Sequence, residues 1–325
     1  MALGMPPVIG FAARRLGRGL LTLWFAATVT FLLLRLLPGD PALAVADPTM
    51  TPQTRQILLR QYGLDQSLAS QYGKYLWQLL HGNLGVSFTR QVPVSTVLLD
   101  RLPWTLLLTG SSLLVTVAAG IPLGVLAATH PRGWLDRLVQ VGGVVGQSLF
   151  VPSVGIFLLF VLGLQLHWLP IGGAYRPGVY GAAWYGDVAA HLVLPCLSLV
   201  LVQLGAYVLT LRTTLIEALG EDYCVLAGAK GLPNRTVVWK HALRNALLPT
   251  TTLVGLQLGL LVGGAVLTET VYAYPGIGRG IYEAVTQLDY PVLQGAFVLL
   301  AATVVVANVL TDLAYGLLDP RVRTA

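Results

Sequence analysis

The chain has 325 residues, of which 55% are hydrophobic and only 10% charged, with a formal net charge of +6 and a mean hydropathy of +0.72. A soluble domain carries about 25% charged residues, so this composition excludes a soluble globular protein and points to the membrane. The basic balance reads as an orientation signal rather than a nucleic-acid surface, because there is no soluble basic domain to hold one.

A spanning helix needs about 20 mostly apolar residues, and six stretches qualify. Residues 16–37 form the first. Arg14, Arg15 and Arg18 stand at its start, as in a signal peptide, but the apolar run exceeds the usual h-region of about 7–15 residues. It also ends in Leu37-Pro38-Gly39-Asp40 with no small-residue cleavage site, which predicts an uncleaved span. Residues 40–102 then form an outer cap segment. Thr51-Pro52 reads as one helix start and Gly63 as its end. Ser67 would cap a second helix, with Leu68, Tyr72, Tyr75, Leu76 and Leu79 at helical spacing and Gly82 as the stop.

The remaining spans are predicted at residues 104–128, 138–164, 192–216, 247–267 and 292–313. The Gly-, Tyr- and Pro-rich stretch 169–190 is read as a loop at the outer mouth. The expected fold class is therefore all-α, a polytopic membrane bundle of about six transmembrane helices. It forms one domain over residues 1–325, with the 40–102 cap and a 217–245 inner loop inside it.

Lys and Arg placement orients the bundle. With both termini inside, the inner segments hold Arg14, Arg15, Arg18, Arg132, Arg137, Arg212, Lys230, Arg235, Lys240, Arg244, Arg321 and Arg323. Against these stand six acids, Asp136, Glu217, Glu221, Asp222, Asp312 and Asp319, so the whole formal charge falls on one side.

No phosphate-cradling G-x-x-x-x-G-K-[S/T] occurs, no H-E-x-x-H and no G-x-S-x-G. The two cysteines, Cys196 and Cys224, have no metal-ligand spacing and read as structural. Ionisable residues at membrane depth mark proton or ion relays. Here Arg35, Arg212, Glu269 and Asp312 all fall near predicted span ends, where side chains can reach the interface. Neutral polar residues do lie within spans: Gln147 and Ser148, Gln203, Gln257 and Asn308. They read either as inter-helix hydrogen-bonding groups or as the lining of a path for a hydrated substrate. A path without an engine implies energy supplied by a partner on the inside.

The largest inner loop, residues 217–245, has the pattern of a folded elbow. A short helix is predicted over residues 221–229, with Gly231 as hinge because glycine accepts backbone angles that other residues avoid. Asn234 would cap a second helix starting at Arg235, with Val238/Ala242 and Trp239/Leu243 as apolar i,i+4 pairs and Arg235, Lys240 and Arg244 interspersed. Such an elbow suits docking into another protein's groove, or lying as an amphipathic helix on anionic lipid.

Residues Ala227 to Gly231, followed by Lys240-His241-Ala242-Leu243-Arg244-Asn245-Ala246-Leu247-Leu248-Pro249, resemble the EAA loop of ABC-importer permeases, specifically the B-type subunit of the oligopeptide/dipeptide family. Gly231 matches its signature glycine. The generic EAA triad is replaced by Val225, Leu226 and Ala227, and the generic I-x-L-P by His241-Ala242-Leu243-Arg244, as in that subunit. Further resemblances follow in order: Leu36-Leu37-Pro38-Gly39-Asp40-Pro41; Tyr62-Gly63-Leu64-Asp65 with Gly82-Asn83-Leu84-Gly85-Val86-Ser87; Gly120-Ile121-Pro122-Leu123-Gly124; Glu269-Thr270-Val271 with Tyr274-Pro275-Gly276-Ile277-Gly278; Asp289-Tyr290-Pro291; and Leu318-Asp319-Pro320-Arg321.

The resemblance implies a permease subunit, not an enzyme, in a bacterial inner membrane, importing peptides, most simply oligopeptides. It would carry no cofactor itself. ATP and Mg would sit on two cytoplasmic ATPase subunits, or one fused, beside a homologous second permease subunit, an extracellular peptide-binding protein and membrane lipid. The implied ATPase-coupling residues are Tyr223, Ala227, Gly228, Lys230, Gly231, Asn234, Arg235, Lys240, His241, Arg244 and Asn245. Glu269, Tyr274, Pro275, Gly276 and Gly278 are the implied outer gate or receptor contact.

Overall fold

The computed structural model describes residues 7–36 and 66–318, with side chains at 7–16, 252, 256–264 and 310–318 outside the description. The helices are α1 (Pro7–Leu36), α2 (Leu68–Leu80), α3 (Val94–Thr129), α4 (Trp134–Ser148), α5 (Val151–Leu158), α6 (Ala182–Gly220), α7 (Asp222–Ala229), α8 (Asn234–Thr236), α9 (Leu243–Gly264), α10 (Val266–Val271), α11 (Ile277–Thr286) and α12 (Tyr290–Leu318). Among the described residues there is no strand, only an isolated bridge between Val86 and Pro93. The protein is an all-α polytopic membrane bundle.

Four helices are long and apolar enough to cross a membrane over their described residues: Gly17–Arg35, Val94–Thr129, Ala182–Gly220 and Tyr290–Val309. The predicted third span is not one straight helix. It is the pair α4 and α5, the latter continued by a π-helical stretch Leu159–Gln165, bent by 102° at Leu149–Phe150. Pro152 sits in the first turn of α5, where its missing N–H costs nothing, and it could not have continued α4. The predicted fifth span falls on α9, and the candidate helix at 51–63 lies outside the described residues, as do most of 36–41, all of 62–65 and 319–321. Helix α3 starts about ten residues before the predicted span, and α6 starts inside the stretch read as a loop.

The chain divides into two compact units, residues 1–103 with 275–309 and residues 104–274 with 310–325. In the first unit, α2 begins as the sequence indicates: the Ser67 hydroxyl accepts from the Ser70 N–H at 3.4 Å. Its Tyr72 and Tyr75 rings pack on Phe31 of α1 at 5.3 and 5.6 Å, and Tyr72 Oη meets Thr28 Oγ1 at 2.7 Å. Small residues let helices approach closely: a Cβ on Gly295 of α12 would lie 2.6 Å from Val94 of α3.

In the second unit, α4 lies along α6 through glycines. A Cβ on Gly205 would fall 2.2 Å from the Gly143 carbonyl oxygen, and one on Gly146 would fall 2.7 Å from that of Leu201. Arg212, expected only to reach toward a span end, instead pairs with the fully buried Asp136. Its Nη2 donates to Oδ2 at 2.8 Å and its Nε to Oδ1. Helix α3 joins the same layer, with Gly120 against Tyr207 and Gly124 against Leu211.

Candidate functional site: the elbow and two polar clusters

The elbow is built on the ends of α3 and α6. One apolar cluster joins Val125 and Ala128 of α3, Leu211, Leu215 and Ala218 of α6, Cys224 and Ala227 of α7, and Val237, Val238, Ala242, Leu243 and Ala246 beyond the hinge. Burial of these side chains holds the elbow in place. Helix α7 runs as predicted. Gly231 then turns the chain with φ +83°, a left-handed conformation that glycine takes without a Cβ penalty. The Gly231 N–H donates to the Gly228 carbonyl at 2.9 Å.

The second half differs from expectation. Pro233, not Asn234, is the capping residue, and no side chain caps the helix. From Asn234 the chain is continuously helical into α9, passing through a π-helical segment Val237–Ala242. That wider winding breaks the predicted pairing: Leu243 is buried, whereas Trp239 is exposed. Val237 joins the buried side in its place.

The structure therefore sorts the expected coupling residues into two faces. Ala227 is buried in the cluster. Tyr223, Gly228, Lys230, Gly231, Asn234, Arg235, Lys240, His241, Arg244 and Asn245 are all exposed, alongside Val225, Leu226, Leu232 and Trp239. Burial pushes the Cys224 thiol up from its ordinary value.

The residues expected at the outer gate fall on both sides of the boundary between units. In the second unit, Glu269 and Tyr274 have no exposed surface, and Glu269 accepts from Thr105 Oγ1 at 2.7 Å. The Tyr274 ring meets Trp104 edge-on at 6.0 Å; burial first, and the charge of Glu269 second, push its hydroxyl well above the usual phenol range. In the first unit, Gly276 and Gly278 are buried and Pro275 is half-buried.

The path candidates are not brought together. Gln147 is exposed on α4, with its Nε2 donating to the Gly143 carbonyl at 3.4 Å. Gln203 is half-buried on α6, Asn308 is exposed on α12, and the Gln257 side chain lies outside the described residues.

Two polar features were missed. One is a buried hydroxyl stripe on α3, Thr105, Thr109, Ser112 and Thr116, whose 4-3-4 spacing is visible in the sequence. The other lies in the first unit, where the turn over residues 83–93 meets α11 and the start of α12. Asp289 accepts from Ser87 Oγ at 2.5 Å, Thr89 Oγ1 at 2.7 Å, Phe88 N at 3.1 Å and Thr89 N at 3.2 Å. Beside it, Arg90, Arg101 and Arg279 all pair with Glu283. Among the described residues no group of His, Cys, Asp and Glu could hold a metal ion.

Two family models cover the chain: residues 120–324 match the binding-protein-dependent transport system inner membrane component, and residues 8–109 match the N-terminal part of such components. The chain belongs to this family. Members similar to it over 97% of its length and 99% of theirs include the dipeptide transport system permease protein of Escherichia coli K12 (34% identical). The di/tripeptide transport system permease protein of Pseudomonas aeruginosa is 35% identical over the same shares, and the glutathione transport system permease protein of Salmonella paratyphi A is 34% identical. As an inner membrane component of this family, the chain is a membrane-spanning permease, and its relatives are transport subunits.

Proposed function

We propose that this permease subunit moves peptides, most simply oligopeptides, into the cell as part of an ATP-driven ABC importer. Relatives matched along almost their whole length are named for dipeptide, di/tripeptide and glutathione transport. In this reading both termini and the 217–245 loop are cytoplasmic, and residues 40–102 and the stretch between α10 and α12 face outward. A homologous second permease completes the bundle. Two ATPase subunits, or one fused, bind and hydrolyse ATP with Mg, and a peptide-binding protein delivers the cargo.

The observation that carries the reading is the two-faced elbow. Its inner side is welded to α3 and α6 through Leu211, Leu215, Ala227 and Val238, while Tyr223, Val225, Leu226 and Trp239 face outward. An exposed apolar strip mixed with Lys230, Lys240 and Arg244 suits a groove on a partner. The rigid attachment would pass the partner's movement to the spanning helices. ATP would act by favouring one orientation of the bundle through differential contacts. Glu269 and Tyr274 would brace the outer gate from within, with Pro275, Gly276 and Gly278 carrying the chain on to the receptor-facing surface. Gln147, Gln203, Gln257 and Asn308 are the proposed polar positions of the path.

The test is affinity purification from native membrane in mild detergent with mass spectrometry of what accompanies the chain. A second permease and ATPase subunits, lost when residues 223–243 are deleted, are the expected result. Recovery of the chain alone, still moving solute into liposomes without ATP, would overturn it.

A further inference from the structure

Three guanidinium groups converge on one carboxylate in the first unit. Arg90 Nη2 and Arg101 Nη2 both donate to the same oxygen, Glu283 Oε2, at 3.0 and 2.5 Å, and Arg279 Nε donates to Oε1 at 3.0 Å. Sharing one oxygen leaves the Arg90 and Arg101 charges incompletely matched. The other carboxylate bordering this place, Asp289, is directed elsewhere: its hydrogen bonds go to Ser87, Phe88 and Thr89 of the turn.

The cluster is built, not incidental. Arg101 crosses α11 where Gly280 leaves room, since a Cβ there would lie 3.0–3.1 Å from the arginine side chain. It also donates to the Gly276 carbonyl at 3.3 Å. Arg90 stands on the turn that Asp289 pins, so its position is set by a buried anchor. Exposure rises outward across the group, from 12% for the Arg101 side chain to 36% for Arg279 and 46% for Arg90. A small pocket lined by Thr89, Arg90, Arg101, Glu283, Gln287 and Asp289 lies beside it. Guanidinium groups held in a fixed, half-exposed array match carboxylates bidentately and keep their charge at every accessible pH.

The two segments that meet here, residues 83–103 and 275–291, are the ones the charge distribution places on the same outer side. We propose that Arg90, Arg101 and Arg279 form a docking point for carboxylates on the surface of the substrate-binding protein; this rests on the importer reading above. Three guanidinium groups around one carboxylate call for an anionic partner surface, and the family is one of binding-protein-dependent systems. Arg101 frames the site, and Arg90 and Arg279 meet the partner. Glu283 holds the fork until a partner carboxylate shares it. Such a contact governs encounter and salt dependence more than the chemistry of transport.

The test uses the intact complex in lipid nanodiscs with the binding protein that co-purifies with it. The readout is the binding-protein concentration giving half-maximal stimulation of ATP hydrolysis, at low and high salt. Arg90→Glu should raise that concentration on the order of tenfold at low salt and flatten its salt dependence. Arg90→Lys should raise it much less, and Lys74→Glu, on the exposed side of α2, should leave it unchanged. Replacing an acidic residue of the binding protein with lysine should restore the Arg90→Glu complex, a rescue that loss of folding would not give.

An unaltered half-saturation in Arg90→Glu overturns the docking point. So does an effect seen only in peptide concentration at saturating binding protein, which assigns the site to the peptide carboxylate, or only on changing the anionic lipid content. Basal ATP hydrolysis without binding protein separates the two readings. If it is present and Arg90→Glu behaves as wild type, only docking falls; if no ATPase accompanies the chain, the importer reading falls and docking falls with it.

Discussion

Asp289 and Ser87, 202 positions apart in the chain, are joined by a buried 2.5 Å hydrogen bond in which the Ser87 hydroxyl donates to the carboxylate. The same carboxylate takes the Thr89 hydroxyl and the N–H groups of Phe88 and Thr89, and it also receives the Val292 N–H at the start of α12 at 3.4 Å. One side chain thus ties the turn before α3 to the beginning of α12. Backbone donors in that turn have no helix to satisfy them, so the aspartate does the work of secondary structure.

Asp289→Ala removes an acceptor that is itself only 1% exposed, taking it from the buried Ser87 hydroxyl and Val292 N–H and from the donors of Phe88 and Thr89 nearer the surface. Each buried unsatisfied group costs about 1–3 kcal/mol. The variant should melt well below wild type in detergent and become open to proteolysis in residues 83–93. Asp289→Asn, which keeps one acceptor oxygen, should lose about half as much. A melting temperature for Asp289→Ala equal to wild type would mean that the turn is held by other contacts.

Glycines on α4 and α6 give a second, steric prediction. Gly205→Ala places a methyl group 2.2 Å from the Gly143 carbonyl oxygen, and the clash is with backbone that cannot rotate away. The helices must separate, at a cost of about 1–3 kcal/mol or more. Gly142→Ala, one residue away on α4, meets nothing within 4 Å and should be neutral. Comparing the thermal stability of the two variants isolates the close approach from any general effect of replacing a helical glycine.

Much of this arrangement is legible in sequence, and the gaps have physical causes. Hydropathy finds the cores of α1, α3, α6 and α12 because each is a long apolar run. It cannot see the 102° bend at Leu149–Phe150, because the stretch is apolar enough across the break to read as one span; Pro152 is the one local signal. The elbow's hinge is readable from Gly231, since a left-handed turn needs glycine. Its π-helical continuation is not, because the winding is set by packing against α3 and α6, so Trp239 and Leu243 separate despite their i,i+4 spacing. The arginine cluster escapes because its members, Arg90, Arg101 and Arg279, are scattered in sequence, and only tertiary folding unites them.

Gly231→Val tests the elbow directly. The residue has φ +83° with open space around it, so the substitution is opposed by backbone strain and not by a clash. Left-handed geometry costs an ordinary residue about 1–2 kcal/mol, and a β-branched one more. The expected outcome is an inserted bundle of near-normal stability with ATP-dependent uptake largely abolished. Wild-type uptake in this variant would remove the hinge from the coupling mechanism.

Thiol labelling reports on the two faces of the elbow. Cys224 is 3% exposed, and burial raises its thiol, so less thiolate is available to react at neutral pH. Maleimide should modify Cys224 at least about tenfold more slowly than an exposed thiol. Its rate should rise with pH beyond the point where the exposed thiol levels off. In a Cys196→Ser/Cys224→Ser background, Tyr223→Cys should label readily in the isolated chain and be protected when ATPase subunits are bound. Equal labelling of Tyr223→Cys with and without those subunits would show that this face is not covered.

Asp136 and Arg212 allow a prediction of asymmetry. Asp136 is fully buried, whereas the Arg212 side chain keeps 19% exposure. Removing the arginine by Arg212→Met strands a buried carboxylate whose remaining support includes the Arg132 N–H at 2.8 Å. Breaking such a pair from one side costs about 3–5 kcal/mol. Asp136→Asn leaves a guanidinium that can turn toward its exposed edge and keeps a neutral hydrogen-bond acceptor, so it should cost distinctly less. The double variant Asp136→Asn/Arg212→Met should recover much of the loss of Arg212→Met alone, because no charge is then left buried. Melting temperatures of the three proteins decide it, and equal losses for the two single variants would show that the pair acts as a symmetric brace.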